Sequence, residues 1–221
     1  NNKCAYEYRK DLGSELAKET DINADLVVPV PYSGVPAALG YAEQSGKKFE
    51  LGLIRNHYVG RTFIEPTQNI RSLGVKLKLN ATKTTVKNKS IILIDDSLVR
   101  GTTCLKIVKM LFENGAKEVH VRIACPEIKY PDFYGVDMPT KEELLAHNKT
   151  NIEMCNYINA SSLKFLSLNG LYKALIKEKR NSNYPQFSDH YFTGDYPIKP
   201  LDKIQGIKIK QFSLLSGKSN S

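Results

Sequence analysis

Residues 91–103 read Ile-Ile-Leu-Ile-Asp-Asp-Ser-Leu-Val-Arg-Gly-Thr-Thr, and this stretch narrows the possible folds more than any other. Four aliphatic residues stop abruptly at two adjacent acids. A short loop of Arg100, Gly101, Thr102 and Thr103 follows, and then an amphipathic segment from Cys104 to Asn114. The pattern is a buried strand, a loop and a helix N-terminus. A strand that is apolar on both faces belongs inside a parallel sheet covered by helices. In such open α/β sheets, ligands bind at the C-terminal strand ends. First-turn helix amides lack intrahelical partners and suit a phosphate. Two carboxylates just before such a cradle point to a ligand with a phosphate and either vicinal hydroxyls or a bound cation.

The rest of the chain alternates strands and helices. Ala5 to Thr20 has helical spacing through Tyr8, Leu12 and Leu16. Asp25 to Pro31 is a buried-type strand running into a turn at Tyr32-Ser33-Gly34, and Val35 to Gln44 is a helix with Pro36 in its first turn. Phe49 to Ile54 forms another strand, followed by a long polar and aromatic loop from Arg55 through Pro66. Such length and mixed chemistry suggest function more than packing. Ser90 to Ile94 is the central strand, Thr103 to Asn114 its helix, Gly115 the C-cap, and Glu118 to Ala124 the next strand. Shorter helices are expected at 141–147, 152–158 and 168–176. The alternation predicts an open, mostly parallel sheet with helices on both faces. We divide the chain into a domain at 1–178 and a C-terminal extension at 179–221, loosely attached and partly disordered, because periodicity fades beyond Lys179.

With 221 residues, 41% of them hydrophobic and 25% charged, the chain is long enough for one sizeable α/β core. The net charge of +9 permits an anionic ligand, but several of the excess lysines lie in the C-terminal extension, so nucleic acid is not implied. Cys4, Cys104, Cys125 and Cys155 are widely spaced, with no Cys-x-x-Cys pair, which speaks against zinc and for reduced thiols in a cytoplasmic setting. No apolar run approaches the ~20 residues that span a bilayer, and the first residues show no secretory pattern.

The aliphatic run, the Asp-Asp pair and the Gly-Thr-Thr loop resemble the phosphoribosylpyrophosphate motif of type I phosphoribosyltransferases. Further motifs occur in order. They are Arg-Asn-x-Tyr-Val-Gly-Arg-Thr-Phe-Ile at 55–64, Val-Lys-Leu-Lys-Leu-Asn at 75–80 and Pro-Glu-Ile-Lys-Tyr-Pro-x-Phe-Tyr-Gly-Val-Asp-Met-Pro-Thr at 126–140. Together these are similar to the synthase half of the amidophosphoribosyltransferase family, from about Ala5 to Tyr196.

The resemblance implies a type I phosphoribosyltransferase fold with a C-terminal helical region. It also implies transfer of a phosphoribosyl group from phosphoribosylpyrophosphate to ammonia, giving phosphoribosylamine and pyrophosphate in the first step of purine synthesis. Asp95 and Asp96 would address the ribose hydroxyls and Mg²⁺. Ser97, Val99, Arg100, Gly101, Thr102 and Thr103 would cradle the 5′-phosphate. Ser33 would be a third position near the metal, or else a plain helix N-cap. Residues 55–64 would be a lid with Arg55 and Arg61 as phosphate contacts and Tyr58 packed on substrate, or else a solvated basic loop. No general base is required, since neutral ammonia is already nucleophilic, and none of the four histidines is expected to be catalytic.

Three departures qualify the match. The family's N-terminal glutaminase domain, the source of ammonia from glutamine, lies outside these residues, so no glutaminase activity is expected. Asp132, Tyr184 and Phe187 fall where one branch of the family has iron–sulfur cysteines, so no cluster is expected. Tyr32 replaces an acid, while Arg55 and His57 replace Lys and Arg, which bears on feedback inhibition by purine nucleotides. A homo-oligomer is expected from the family. The alternatives are a salvage phosphoribosyltransferase acting on a purine or pyrimidine base, and a regulatory protein of this fold that senses phosphoribosylpyrophosphate while binding nucleic acid.

Overall fold

Every residue of the strand Ser90–Asp95 is buried, and it is paired on both edges, so helices must cover both of its faces. The computed structural model describes residues 3–56, 79–136 and 140–198. In chain order the first elements are α1 (Ala5–Thr20), β1 (Leu26–Pro29), α2 (Val35–Ser45), β2 (Lys48–Phe49), β3 (Leu53–Arg55), β4 (Leu79–Ala81) and α3 (Lys83–Val86). There follow β5 (Ser90–Asp95), α4 (Thr102–Glu113), β6 (Glu118–Ile123), a 3₁₀ turn (Lys141–Glu143), α5 (Leu145–Asn148) and α6 (Asn151–Tyr157). The last are β7 (Ser162–Phe165), α7 (Leu168–Ile176) and α8 (His190–Thr193).

The five strands of the main sheet are parallel and ordered β2-β1-β5-β6-β7. From β1 the chain winds outward to β2, and from β5 it winds the other way through β6 to β7. The direction therefore reverses between β1 and β5. That reversal opens a crevice at the C-terminal ends of these two strands, the usual ligand position in open α/β sheets. The pleat sorts side chains between the two covering layers. Val27, Ile92 and Ile94 pack with Leu16, Ala17, Ala37, Ala38 and Tyr41 of α1 and α2. Leu26, Val28, Ile91 and Leu93 pack with Ile107, Val108 and Leu111 of α4 and with Met154 and Ile158. Each such fully buried branched side chain contributes roughly 1.5–3 kcal/mol.

The expected α/β architecture is found, with local differences. The strand expected over Phe49–Ile54 is two strands. Lys48–Phe49 joins β1 in the main sheet, while Leu53–Arg55 pairs antiparallel with β4. Gly52 lies between them, tucked so closely against Val28 and Val86 that a Cβ would sit 3.0 Å from the Val28 methyls. The helix expected at 141–147 is broken at Leu144, whose extended backbone (φ −74°, ψ 115°) separates the 3₁₀ turn from α5. Leu144 is wholly buried, and that burial outweighs helix continuity. β4, α3 and β7 were not read from the sequence, since runs of three or four residues carry too few periods to register.

Residues 180–198 dock on the domain through buried polar contacts. Asp189 is 3% exposed and accepts from Tyr172 Oη at 2.8 Å and Arg180 Nε at 2.6 Å. His190, 1% exposed, meets Asp132 through Nε2–Oδ1 at 2.8 Å, and Ser188 Oγ lies 3.1 Å from its Nδ1. The Lys129 and Tyr130 amides donate to the Tyr191 carbonyl, and Tyr196 Oη donates to the Pro131 carbonyl. Asp132, one of the three positions where cysteines would fall, is thus the histidine's partner. Desolvation would raise its pKa, but the Val136 and Tyr134 amides and the His190 ring overcome this and hold it at about 2.

Candidate functional site

Asp95 closes β5, and its carbonyl accepts from the Ala124 amide at 2.9 Å, which ties the start of the loop to the end of β6. Its carboxylate turns back and accepts the Asp96 amide at 2.9 Å. Burial, reinforced by the neighbouring Asp96 charge, pushes the Asp95 carboxyl well above the usual carboxylate range. Among the described residues neither Asp95 nor Asp96 takes part in an ion pair. Two adjacent acids, one of them buried and neither paired with a cation among the described residues, form a donor set that a divalent cation suits. Among the described residues no three His, Cys, Asp or Glu side chains cluster as a self-sufficient metal cage. A cation here would accordingly complete its shell with water and ligand oxygens, as Mg²⁺ commonly does.

The loop then reaches Gly101, which serves as the N-cap of α4 with φ +74°. Left-handed backbone favours glycine, and the space is also closed. A Cβ at Gly101 would come within 2.7 Å of Leu145 Cδ2 and 3.0 Å of Tyr157 Cε1. Thr102 and Thr103 open α4 and are exposed, while Cys104 behind them is buried. The N-cap glycine supplies no side-chain cap, so among the described residues no side chain caps the first amides of α4.

Ser33 arrives from the other side of the crevice. The turn after β1 is held by the Val30 amide donating to the Ile94 carbonyl at 2.8 Å and the Gly34 amide donating to the Val30 carbonyl at 3.0 Å. Gly34 lies so close to β5 that a Cβ would fall 2.5 Å from the Ile94 carbonyl oxygen. Gly34, and not Ser33, occupies the N-cap of α2, and no side chain caps that helix. The plain N-cap reading of Ser33 is therefore not realised. Arg55 ends β3 with its guanidinium 5.8 Å from the centre of the Tyr32 ring, a cation–π contact beside the same turn. The structure thus brings Ser33, Arg55 and residues 95–103 to one end of the sheet. Tyr58 and Arg61, with His57, lie outside the described residues.

A match to the phosphoribosyl transferase domain family covers residues 7–149. The chain belongs to this family. It is 60% identical over 199 residues to the amidophosphoribosyltransferase of Rhizobium etli, a match that covers 90% of this chain and 40% of that one. It is 49% identical over 200 residues to the Staphylococcus aureus enzyme of the same name, again covering 90% of this chain and 40% of the relative. Among solved structures it superposes with TM-score 0.78 and 48% identity on the B. subtilis glutamine phosphoribosylpyrophosphate amidotransferase complexed with ADP and GMP. That superposition covers 87% of this chain and 42% of that one. The chain therefore spans about two fifths of the length of these relatives.

In this phosphoribosyl transferase domain several contacts at the site's edge were missed by sequence reasoning. Glu143 Oε1 accepts from Arg100 Nε at 3.2 Å, and Oε2 accepts from Arg100 Nη2 at 3.4 Å. The Leu145 amide donates to the Val99 carbonyl at 2.9 Å. A signal for this segment was present, because Thr140 and Glu143 have capping-box spacing, as do Thr150 and Glu153. All four cysteines are free thiols, and burial raises the pKa of Cys104 and Cys125, Asp95 adding to the first and both acids to the second. Among the described residues no helix is long and apolar enough to cross a membrane.

Proposed function

We propose that this domain binds phosphoribosylpyrophosphate and transfers its phosphoribosyl group to ammonia, yielding phosphoribosylamine and pyrophosphate as the first step of purine synthesis. The observation that carries this reading is the loop from Asp95 to Thr103. It places two carboxylates, neither paired with a cation among the described residues, beside a helix start whose N-cap glycine supplies no side-chain cap, at the point where the winding of the sheet reverses. A single ligand with a 5′-phosphate, ribose hydroxyls and a metal-bound pyrophosphate satisfies all of these groups. The 60% identity to an amidophosphoribosyltransferase supports ammonia over a nucleobase as acceptor.

Chemically, the bond from the sugar C1 to a pyrophosphate oxygen breaks, a C1–N bond forms, and the resulting ammonium loses a proton to solvent. Charge builds on the leaving pyrophosphate and cationic character on the sugar, so preorganised opposite charges stabilise the transition state. Asp95 and Asp96 accept hydrogen bonds from the ribose 2′- and 3′-hydroxyls and, with Ser33, form the surroundings of the metal. Bound Mg²⁺ would supply charge neutralisation at the pyrophosphate. The residues from Ser97 to Thr103 fix the 5′-phosphate through the Gly101, Thr102 and Thr103 amides and the Thr102 and Thr103 hydroxyls. Arg55, with Tyr58 and Arg61 from the segment that follows it, closes over the pyrophosphate and excludes water. Orientation, with no general base, accounts for the rest.

The same proposal includes a glutaminase domain, in a cytoplasmic setting, as the source of ammonia, and a homo-oligomer as the working form. It takes residues 1–178 as the catalytic domain and 179–221 as an extension. Purine nucleotides are proposed as feedback inhibitors, since the B. subtilis relative is complexed with ADP and GMP. The test is pyrophosphate release from phosphoribosylpyrophosphate and Mg²⁺ with ammonia, glutamine or adenine as acceptor. Release with ammonia supports the proposal. Release with adenine alone would replace it with a salvage reaction, and no binding of phosphoribosylpyrophosphate would overturn it.

A further inference from the structure

Three successive residues of the 97–103 loop are held from behind by one segment, 140–157. The Val99 carbonyl takes the Leu145 amide, Arg100 takes both Glu143 oxygens, and Gly101 abuts Leu145 and Tyr157. The segment is itself stiffened. The Glu143 carboxylate accepts the Thr140 amide at 3.3 Å, and Asn148 Nδ2 donates to the Glu142 and Leu144 carbonyls at 2.6 and 3.1 Å. At the next turn Thr150 and Glu153 close a second capping box. Leu144, whose burial is complete, anchors the whole piece to the core.

From this arrangement we infer that Glu143 is a positioning residue for the phosphate loop. Arg100 serves as the loop's side of that brace and does not act as a direct ligand of the 5′-phosphate. The inference rests on the phosphoribosylpyrophosphate reading and assigns a residue pair within it. Both side chains are about half exposed, so neither is committed to the ion pair by burial. The contact is nonetheless two-pronged, which suits a planar guanidinium and carboxylate and fixes direction as well as distance. The hydrogen bond from Arg100 keeps the Glu143 carboxyl below its ordinary pKa. A carboxylate that already holds the guanidinium would compete with an incoming phosphate for it. The same carboxylate, acting as a strut, lets the amides at the start of α4 meet the phosphate at a smaller cost of loop ordering.

The two roles of Arg100 separate in a double-mutant cycle on the 221-residue chain, with ribose 5-phosphate as the titrated ligand and Mg²⁺-pyrophosphate as a second probe at the other end of the site. Glu143→Ala and Arg100→Ala are each expected to weaken ribose 5-phosphate by about two- to five-fold, the range of exposed ion pairs. The double variant should be no worse than either single one, Mg²⁺-pyrophosphate affinity should be unchanged, and Glu143→Gln should recover part of the loss by keeping an acceptor for Arg100. Equal or tighter ribose 5-phosphate binding by Glu143→Ala would overturn the brace, as would additive losses in the double variant. Weakened binding of both probes would overturn it too, showing that the segment merely holds the fold. Failure of the unmodified chain to bind ribose 5-phosphate would instead sink the phosphoribosylpyrophosphate reading itself.

Discussion

Replacing Gly101 by Ala isolates the local geometry on which the phosphate cradle depends. The backbone there has φ +74°, and a left-handed conformation costs an L-residue roughly 1–2 kcal/mol. The added methyl would stand 2.7 Å from Leu145 Cδ2 and 3.0 and 3.4 Å from two Tyr157 ring carbons. Overpacking of this kind costs roughly 1–3 kcal/mol. The sum is roughly 2–5 kcal/mol, which lowers the melting temperature of a domain this size by about 10 °C. Thermal unfolding by circular dichroism measures it directly. Repeating the substitution in a Leu145→Ala background removes the closest clash but keeps the backbone term, so the cost of Gly101→Ala should fall by about 1 kcal/mol or more. A shift under about 2 °C would refute the left-handed assignment and with it the close approach of Leu145. An unchanged cost in the Leu145→Ala background would refute the clash alone.

Other outcomes follow from the buried charges. Arg180→Ala leaves Asp189 buried without its cation and should cost about 3–5 kcal/mol, read as a lower urea midpoint; a loss under about 1 kcal/mol would show that 180–198 does not dock as described. Asp132 has a folded pKa of about 2 against an ordinary 3.8, so its contribution, at most roughly 2 kcal/mol, is complete above about pH 4 and is lost as pH falls through about 2. Asp132→Asn should therefore flatten the stability profile between those limits, and an unaltered acid slope would assign that slope elsewhere. Asp95→Asn removes a carboxyl whose ionisation is disfavoured by burial and by Asp96. The ligand-free protein should thus melt higher at neutral pH while Mg²⁺-dependent binding of phosphoribosylpyrophosphate disappears. Retained binding in that variant would remove Asp95 from the site.

What could be read from the residues differed by range. The runs at 26–30 and 91–94 announced themselves through unbroken apolar character, 118–123 through strict alternation of polar and apolar residues, and α1, α2 and α4 through helical period. Strand β7, with only Leu163 buried among its four residues, offered no pattern of its own and exists because β6 provides an edge to pair with. The Phe49–Ile54 run looked continuous because Phe49, Leu51 and Leu53 recur at strand spacing; Gly52 divides it where the chain packs against Val28 and Val86. His190 looked like one of four scattered histidines, and its partner Asp132 is 58 residues away. No local rule links such a pair, since the energy that joins them arises from shared burial.

The sequence by itself determined the fold class and the loop on which the chemistry is proposed to rest. An apolar strand ending in two acids and a Gly-Thr-Thr turn has few physical solutions, and each leaves a helix start facing the acids. Tertiary structure decided which residues hold that loop in place. The contacts of Glu143 with Arg100, Leu145 with Val99 and Tyr157 with Gly101 span gaps of about 40 to 56 residues. They form only when the chain returns across the sheet, because side chains so far apart in sequence meet through packing of the whole core and not through any local preference.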